Sequence, residues 1–178
     1  MSHYPQAFID YLIHFHAERD FFECHEVLEE YWKEHPDDPL NKAYVGCIQV
    51  AVSMYHQRRG NLAGAVKLLR NALGNLTDED MHRLGIEAAA FRERLQERLR
   101  ELNKPDFQYR DLNIPLADPD LLSLCRERCA ATNLTWQCPS NFDDTYLINK
   151  HTLRDRSGVI AERERSRHAK TAARKVRE

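Results

Sequence analysis

The side chains best suited to chemistry are concentrated in one stretch of the chain, from Phe21 to Trp32. This stretch has the pattern of a helix, and His25 and Glu29 are four residues apart, which places both side chains on one helix face. Phe21, Leu28 and Trp32 form an apolar stripe, and His25 occupies the position that completes it. We therefore expect the His25 and Glu29 face to point inward, where ionisable groups need partners.

The following helix can supply these partners. Gln49 and His56 are seven residues apart on one stripe, with Val52 between them, and a short turn makes the two helices neighbours. His25, Glu29 and His56 are then predicted to converge. Two imidazoles and a carboxylate suit a divalent transition metal such as zinc, iron or manganese, with coordination positions left open. Gln49 is the expected hydrogen-bond partner of a ligand.

Two hypotheses about function follow from this cluster and stay open at this point. The first is a small metal-dependent enzyme with hydrolytic or Lewis-acid chemistry, in which Glu26 is the candidate general base. The pattern differs from the HExxH motif of zinc proteases, because Glu29 stands where the second histidine would be. The second is a non-enzymatic binding or scaffold protein, in which the same polar groups form a closed hydrogen-bond network and Trp32 belongs to the core.

The fold class predicted from the sequence is all-α, a compact bundle of four or five helices. Six glycines, few β-branched runs and frequent spacings of three and four between apolar residues favour helices. Asp20, Asn61 and Thr77 are predicted N-terminal caps, and Gly64 is predicted to permit close helix approach. The predicted helices cover 6–17, 21–34, 39–59, 62–76 and 79–102, with a shorter one over 119–131. Between the last two, residues 103–117 are expected to wrap around the bundle without helix.

Charge is divided unequally along the chain. Residues 1–149 carry a net charge of -8, whereas residues 150–178 carry +6. We therefore predict one domain over residues 1–150, followed by a basic tail over 151–178 that is a solvated helix or disordered. An acidic body repels nucleic acid, so nucleic acid or an anionic surface is expected to bind only through the tail. A homo-oligomer is compatible with the sequence.

The sequence argues against two classes of protein, a membrane protein and a disulfide-rich secreted protein. The longest stretch without a charged side chain runs from Ala43 to Gln57, which is too short and too polar to span a bilayer. The five cysteines are odd in number and irregularly spaced, and the N-terminus lacks the pattern of a secretory signal. The expected location is the cytoplasm.

Several of these motifs together resemble a known family. They are the HExxE motif with Trp over residues 25–32, the glutamine and histidine of the next helix, and the GNxxGA turn over residues 60–65. The chain resembles, over about residues 8–76, the uncharacterised and mostly bacterial family catalogued as domain of unknown function 309. This resemblance implies a compact all-α cytoplasmic protein and no particular reaction. Its signature positions here are His25, Glu26, Glu29, Trp32, Gln49, His56, Asn61 and Gly64.

Overall fold

Helices make up nearly all regular structure in the computed structural model, which describes residues 2–153 and 157–175. Within those residues there is no strand, only an isolated bridge between Ile86 and Leu116. The all-α prediction is confirmed. The helices are α1 Gln6–Ile13, α2 Phe21–Glu34, α3 Asn41–Arg58, α4 Leu62–Asn75, α5 Asp78–Arg83, α6 Ala88–Leu102, α7 Pro119–Ala131, α8 Thr145–Ile148, α9 Lys150–Leu153 and α10 Ser157–Lys175, with a π-helical turn His14–Glu18 directly after α1.

Side-chain caps start α2 and α4 where the sequence predicts them. The Glu23 N–H donates to Asp20 Oδ1 at 3.1 Å at the start of α2. At the start of α4 the Gly64 N–H donates to Asn61 Oδ1 at 3.2 Å. Each cap satisfies a backbone N–H that has no partner inside the helix.

Two predicted helix boundaries are wrong. The third helix begins at Asn41 rather than at residue 39, because Asp38 Oδ1 accepts the Leu40 N–H at 2.8 Å and forms a turn there. The predicted helix over 79–102 is divided into α5 and α6. The division lies at Gly85, whose φ of 70° ends the helix and whose carbonyl accepts the Ala117 N–H at 2.8 Å.

The centre of the bundle is α3, which packs against both α2 and α4. A β-carbon at Gly46 in α3 would lie 2.7 Å from Cγ of Leu76, so this glycine lets the chain after α4 approach closely. Further along, Ser53 Oγ donates to the Ala65 carbonyl at 2.8 Å, which joins α3 to α4 directly. These contacts make the α3 and α4 pair the tightest part of the core.

The segment between α6 and α7 is the predicted wrap. It contains no helix over residues 103–118, yet it buries the side chains of Leu112 and Ile114. Its polar contacts run back to the N-terminal elements, as described below for Arg19 and His16.

The chain contacts divide the protein into two units, Met1–Ile148 and Asn149–Glu178. In the second unit, α10 is helical over Ser157–Lys175, and its described side chains between 163 and 172 are exposed. Residues 154–156 and 176–178 of the predicted tail lie outside the described residues. In the described part of the chain, no helix has the length and apolar character needed to cross a membrane.

Candidate functional site

The predicted polar cluster lies on α2 at the edge of the core. The buried side chains of this helix are Phe21, Cys24 and Leu28, so the inner face is shifted by one residue from the predicted one. The His25 side chain is 33% exposed and that of Glu29 is 29% exposed. The cluster is thus half-buried rather than buried, because the small Cys24 occupies the position against the core that the sequence pattern assigns to His25.

Trp32 and Glu26 are two further predicted site residues on α2, and both are partly exposed. Trp32 is 36% exposed, so it is not the core residue predicted from the apolar stripe. The Glu26 side chain is 42% exposed. Both remain accessible enough to meet solvent.

His25 has a carboxylate at each ring nitrogen. Its Nδ1 lies 3.0 Å from Glu26 Oε1, and its Nε2 lies 2.8 Å from Glu29 Oε2. A neutral imidazole carries one N–H and can donate to only one of these two carboxylates. The second contact requires another positive species between nitrogen and oxygen, either a second proton or a metal cation.

Glu29 is also paired on its other oxygen. Its Oε1 lies 2.6 Å from Nζ of Lys33, one turn further along α2. Burial works to raise the pKa of Glu29, but the hydrogen bond from Lys33 and the charges of His25 and Lys33 outweigh it and lower the pKa below its usual value. Glu29 is therefore ionised at neutral pH, as a metal ligand must be.

Within the described part of the chain, one group of three or more His, Cys, Asp and Glu side chains has its ligand atoms within 4.8 Å of one another. It consists of His25, Glu26 and Glu29. His56 is not among them. The structure thus brings together two of the three predicted ligands with the predicted base, and the ligand role of His56 stays a prediction.

His56 forms a different contact, with the residue that caps α4. The Asn61 side chain uses Oδ1 to accept the Gly64 N–H, so its Nδ2, at 3.1 Å, donates to His56 Nδ1. Burial and the nearby Arg59 charge lower the pKa of His56, so the ring is neutral at pH 7 with its proton on Nε2. Neither nitrogen of this tautomer offers a free lone pair to a metal.

Gln49 and Gly64 also have local structural roles. Gln49 Oε1 accepts a hydrogen bond from Asn75 Nδ2 at 2.8 Å, across the α3 and α4 interface. A β-carbon at Gly64 would lie 2.8 Å from Asn61 Nδ2, so Gly64 leaves room for the capping side chain. The close approach between helix surfaces, predicted at Gly64, occurs at Gly46 instead.

Sequence reasoning missed a set of buried basic side chains. Arg19, Arg58 and Arg98 are at most 7% exposed, and His16 is fully buried. Only Arg98 had a visible signal, because it falls on the apolar stripe of α6 between Leu95 and Leu102. The other residues come together from distant parts of the chain.

Arg19 and Arg58 hold the irregular segments against the helices. The Arg19 guanidinium donates to the carbonyls of Leu112 and Cys138, at 3.0 and 2.8 Å, and to Asn113 Oδ1 at 2.7 Å. Arg58 donates to the Arg19 carbonyl at 2.8 Å. These are interior bonds of the fold rather than parts of an open site.

Comparison with known proteins finds relatives without an assigned activity. The profile of a family described as a domain of unknown function, DUF309, matches residues 8–68, which contain all eight signature positions. The uncharacterized protein YpuF of Bacillus subtilis (strain 168) is 44% identical over 166 residues, covering 91% of this chain and 94% of that protein. An uncharacterized protein of Aquifex aeolicus (strain VF5) is 29% identical over 93 residues, covering 51% of this chain and 28% of that protein. No solved structure gives a significant match.

Proposed function

This chain belongs to the DUF309 family, and we propose that it binds one divalent transition metal ion on α2 through His25 and Glu29. The observation that carries the proposal is the pair of carboxylates at the two nitrogens of one imidazole, 3.0 and 2.8 Å away. Zinc, iron and manganese all accept imidazole and carboxylate ligands. Because these two side chains fill only part of a coordination sphere, the remaining positions are open to water or a substrate.

Glu26 has a positioning role in this proposal. When the His25 Nδ1–H donates to Glu26, the Nε2 lone pair faces Glu29 Oε2 at 2.8 Å. Nε2 and Glu29 Oε2 would hold the divalent cation, whose charge would take the place of the missing second proton. A carboxylate behind a ligating histidine is a common support of metal sites. The sequence-based assignment of Glu26 as a general base remains a separate prediction.

His56 joins this ligand set only if its contact with Asn61 changes. Binding a metal through Nε2 moves the ring proton to Nδ1, which then faces a donor, Asn61 Nδ2. The amide of Asn61 would have to rotate and give up its cap on Gly64. The proposal therefore stands on α2 alone, and chemistry at the open positions would be hydrolytic or Lewis-acid catalysis.

Metal content of the purified full chain tests the proposal. Untagged protein, purified without chelators, is analysed by elemental mass spectrometry before and after incubation with zinc, iron(II) or manganese(II). We expect about one metal per chain, lost in His25→Ala and in Glu29→Gln, and bound about tenfold more weakly in Glu26→Gln. His82→Ala, at an exposed position on α5, is the matched control and keeps the metal. No bound metal in the wild type under any of these conditions contradicts the proposal.

A non-enzymatic scaffold protein is the second candidate, favoured by a specific feature of the same cluster. A doubly protonated His25 donates to Glu26 and Glu29, and Lys33 completes Glu29, so the network closes without an ion. In that case His25→Ala lowers the unfolding free energy by about 1 kcal/mol, and a chelator does not change the wild-type melting temperature. If a chelator lowers the melting temperature of the wild type but not that of His25→Ala, the metal site is favoured instead.

Two further proposals concern location and partners. A cytoplasmic location is supported by the five cysteines, all of which are free thiols. Binding of nucleic acid or an anionic surface through the basic tail is supported by its charge. It predicts salt-sensitive binding that disappears on truncation after His151.

A further inference from the structure

A polar cavity of 270 Å³ lies between α6 and the middle of the wrap, and none of the metal-site residues lines it. Its ionisable lining consists of three arginines and three acids: Arg94, Arg98, Arg110, Glu97, Glu101 and Asp111. By contrast, the cavity between the start of α1 and α2 is lined by carboxylates with His3 as its only cationic candidate. The α6 cavity is therefore the one of these two with a cationic wall suited to an anion.

The carboxylate oxygens of Asp111 are already occupied by hydrogen bonds, and buried Arg19 offsets its negative charge. Asp111 accepts hydrogen bonds from the Ser140 N–H and hydroxyl, at 2.7 and 2.6 Å, and from the Tyr109 hydroxyl at 2.6 Å. These bonds hold the pKa of Asp111 below its usual value although burial works to raise it. Asp111 also lies 4.0 Å from buried Arg19.

Glu101 is shared by two guanidinium groups. Its Oε1 accepts a hydrogen bond from Arg110 Nη2, and its Oε2 lies 3.3 Å from Arg98 Nε. Arg94 is engaged through Nη1 with a main-chain carbonyl, that of Asn113, rather than with a carboxylate. With Asp111 set against Arg19, the three arginines of the lining face two further carboxylates, those of Glu101 and Glu97, so positive charge exceeds negative charge by one on this wall.

The contact between Arg98 and Glu101 is poorly aligned. Arg98 is 3% exposed, and both its Nε and Glu101 Oε2 are buried without a hydrogen-bond partner in the described part of the chain. Burial and the neighbouring Arg110 charge lower the pKa of Arg98, which indicates that an additional negative charge would be favourable. A buried donor beside a buried acceptor calls for a ligand that offers both an acceptor and a proton.

We propose that this cavity binds inorganic phosphate or a terminal phosphate group, and that Glu101 selects phosphate over sulfate. The anionic oxygens of phosphate accept from Arg98 and Arg110, since guanidinium groups match oxyanions in geometry. At neutral pH inorganic phosphate retains a P–OH group, and a terminal phosphate group carries one in its monoanionic form. This proton goes to Glu101 Oε2. Sulfate has no proton to donate and would place an oxygen against that carboxylate.

Isothermal titration of the full chain in EDTA tests this site independently of the metal site. We expect saturable binding of inorganic phosphate at pH 7 and at least tenfold weaker binding of sulfate. Arg110→Gln removes an exposed guanidinium and lowers phosphate affinity about tenfold or more. Arg100→Gln, at an exposed position of α6 outside the cavity, is the matched control and leaves affinity unchanged.

The selectivity has its own variant. Glu101→Gln replaces the proton acceptor with an amide that can donate, so the preference for phosphate over sulfate should fall about tenfold or more. Circular dichroism checks that each variant is folded. If Glu101→Gln does not fold, Arg110→Gln tests whether the cavity binds phosphate, and the wild-type affinities for phosphate and sulfate test the selectivity. No saturable phosphate binding, or binding unaffected by Arg110→Gln, overturns the site, and equal affinity for sulfate overturns the role of Glu101.

Glycerol phosphate, titrated in the same way, distinguishes the two sources of the phosphate group. Tighter binding than inorganic phosphate assigns the cavity to a phosphate monoester. Weaker binding assigns it to the free anion, since the ester carbon replaces a proton on one phosphate oxygen and blocks the contacts of that oxygen with the cavity.

Discussion

The main-chain N–H of Ile114 donates a hydrogen bond to Nε2 of His16 at 2.9 Å, across 98 residues of chain. Since Nε2 accepts, the ring proton is on Nδ1, which donates to the Leu12 carbonyl at 2.8 Å. The imidazole is fully buried and stacks on Trp136 with a centroid distance of 4.3 Å. A neutral His16 thus fastens the wrap to the first helical segment, and both of its nitrogens are used.

The burial of a neutral His16 predicts that the folded protein loses stability in acid. Burial outweighs the two backbone hydrogen bonds and lowers the pKa of His16 from 6.5 to about 3. The unfolded chain binds this proton below about pH 6.5, whereas the folded chain does not, so stability is full above that pH and falls as the pH decreases toward 3. Between pH 7 and pH 5 we expect a loss of about 2 kcal/mol from this residue.

Urea unfolding of wild type and His16→Gln at the two pH values measures this effect. The variant has the lower unfolding free energy at pH 7. At pH 5 the difference in unfolding free energy between the two proteins is smaller by about 2 kcal/mol. An exposed-histidine variant, His82→Ala, controls for histidines in general. A difference between wild type and His16→Gln that does not change with pH would contradict the neutral buried ring.

The hydrogen bonds of Arg19 predict that a positive charge without a guanidinium group cannot hold the wrap in place. Arg19→Lys keeps the positive charge, but a single ammonium cannot reach the Leu112 and Cys138 carbonyls and Asn113 Oδ1 together. We expect a loss of about 3 kcal/mol in unfolding free energy, because buried acceptors lose their donor beside a buried charge. Arg100→Lys, on an exposed face of α6, is the control and should change the unfolding free energy by less than about 0.5 kcal/mol. An equally small effect of Arg19→Lys would refute the prediction.

Gly46 and Gly74 form a matched pair for the α3 and α4 interface. Gly46→Ala places a β-carbon 2.7 Å from Leu76 Cγ, and we expect a loss of about 1–3 kcal/mol from the forced repacking. Gly74→Ala in α4 meets nothing within 4 Å and should stabilise the protein by up to about 1 kcal/mol through helix propensity. Thermal unfolding of the two variants should shift in opposite directions, and a shared direction would show that the close approach at Gly46 is not tight.

The thiols predict a simple labelling pattern. Cys138 is partly exposed, and the other four cysteines are buried. Burial raises the pKa of each of these four thiols, so they are protonated at neutral pH and unreactive. Reaction with Ellman's reagent should therefore give one rapid thiol in native protein, absent in Cys138→Ser, and five after denaturation. More than one rapid thiol in the native protein would contradict the burial of the others.

Helix starts were predictable because their causes are local. The caps at Asp20 and Asn61 act on backbone groups three residues away, so the letters of the sequence are sufficient to locate α2 and α4. Gly85 was harder, since a long helix with a weak position and two helices with a break have similar patterns. The break depends on the bridge that the Gly85 carbonyl forms with Ala117, which is a contact between distant segments.

The candidate site also has one part that the sequence predicts and another that depends on tertiary packing. The pairing of His25 with Glu29 follows from a spacing of four residues on one helix, so the sequence alone determined it. Whether that face points inward, and whether His56 reaches it, depends on how helices pack, and the sequence pattern was misleading about the face because Cys24 also fits the inner stripe.

The sequence by itself determined the helical class, the capped starts of α2 and α4 and the local pair on α2, because each depends on neighbours within about one helical turn. Tertiary structure alone decided that His16 bonds to Ile114, that Arg19 holds the wrap, and that Arg98, Arg110 and Glu101 share one cavity. The physical reason is that buried polar groups take whichever partners the packed chain brings within hydrogen-bond distance. Those partners lie on segments whose separation in the chain carries no periodic signal.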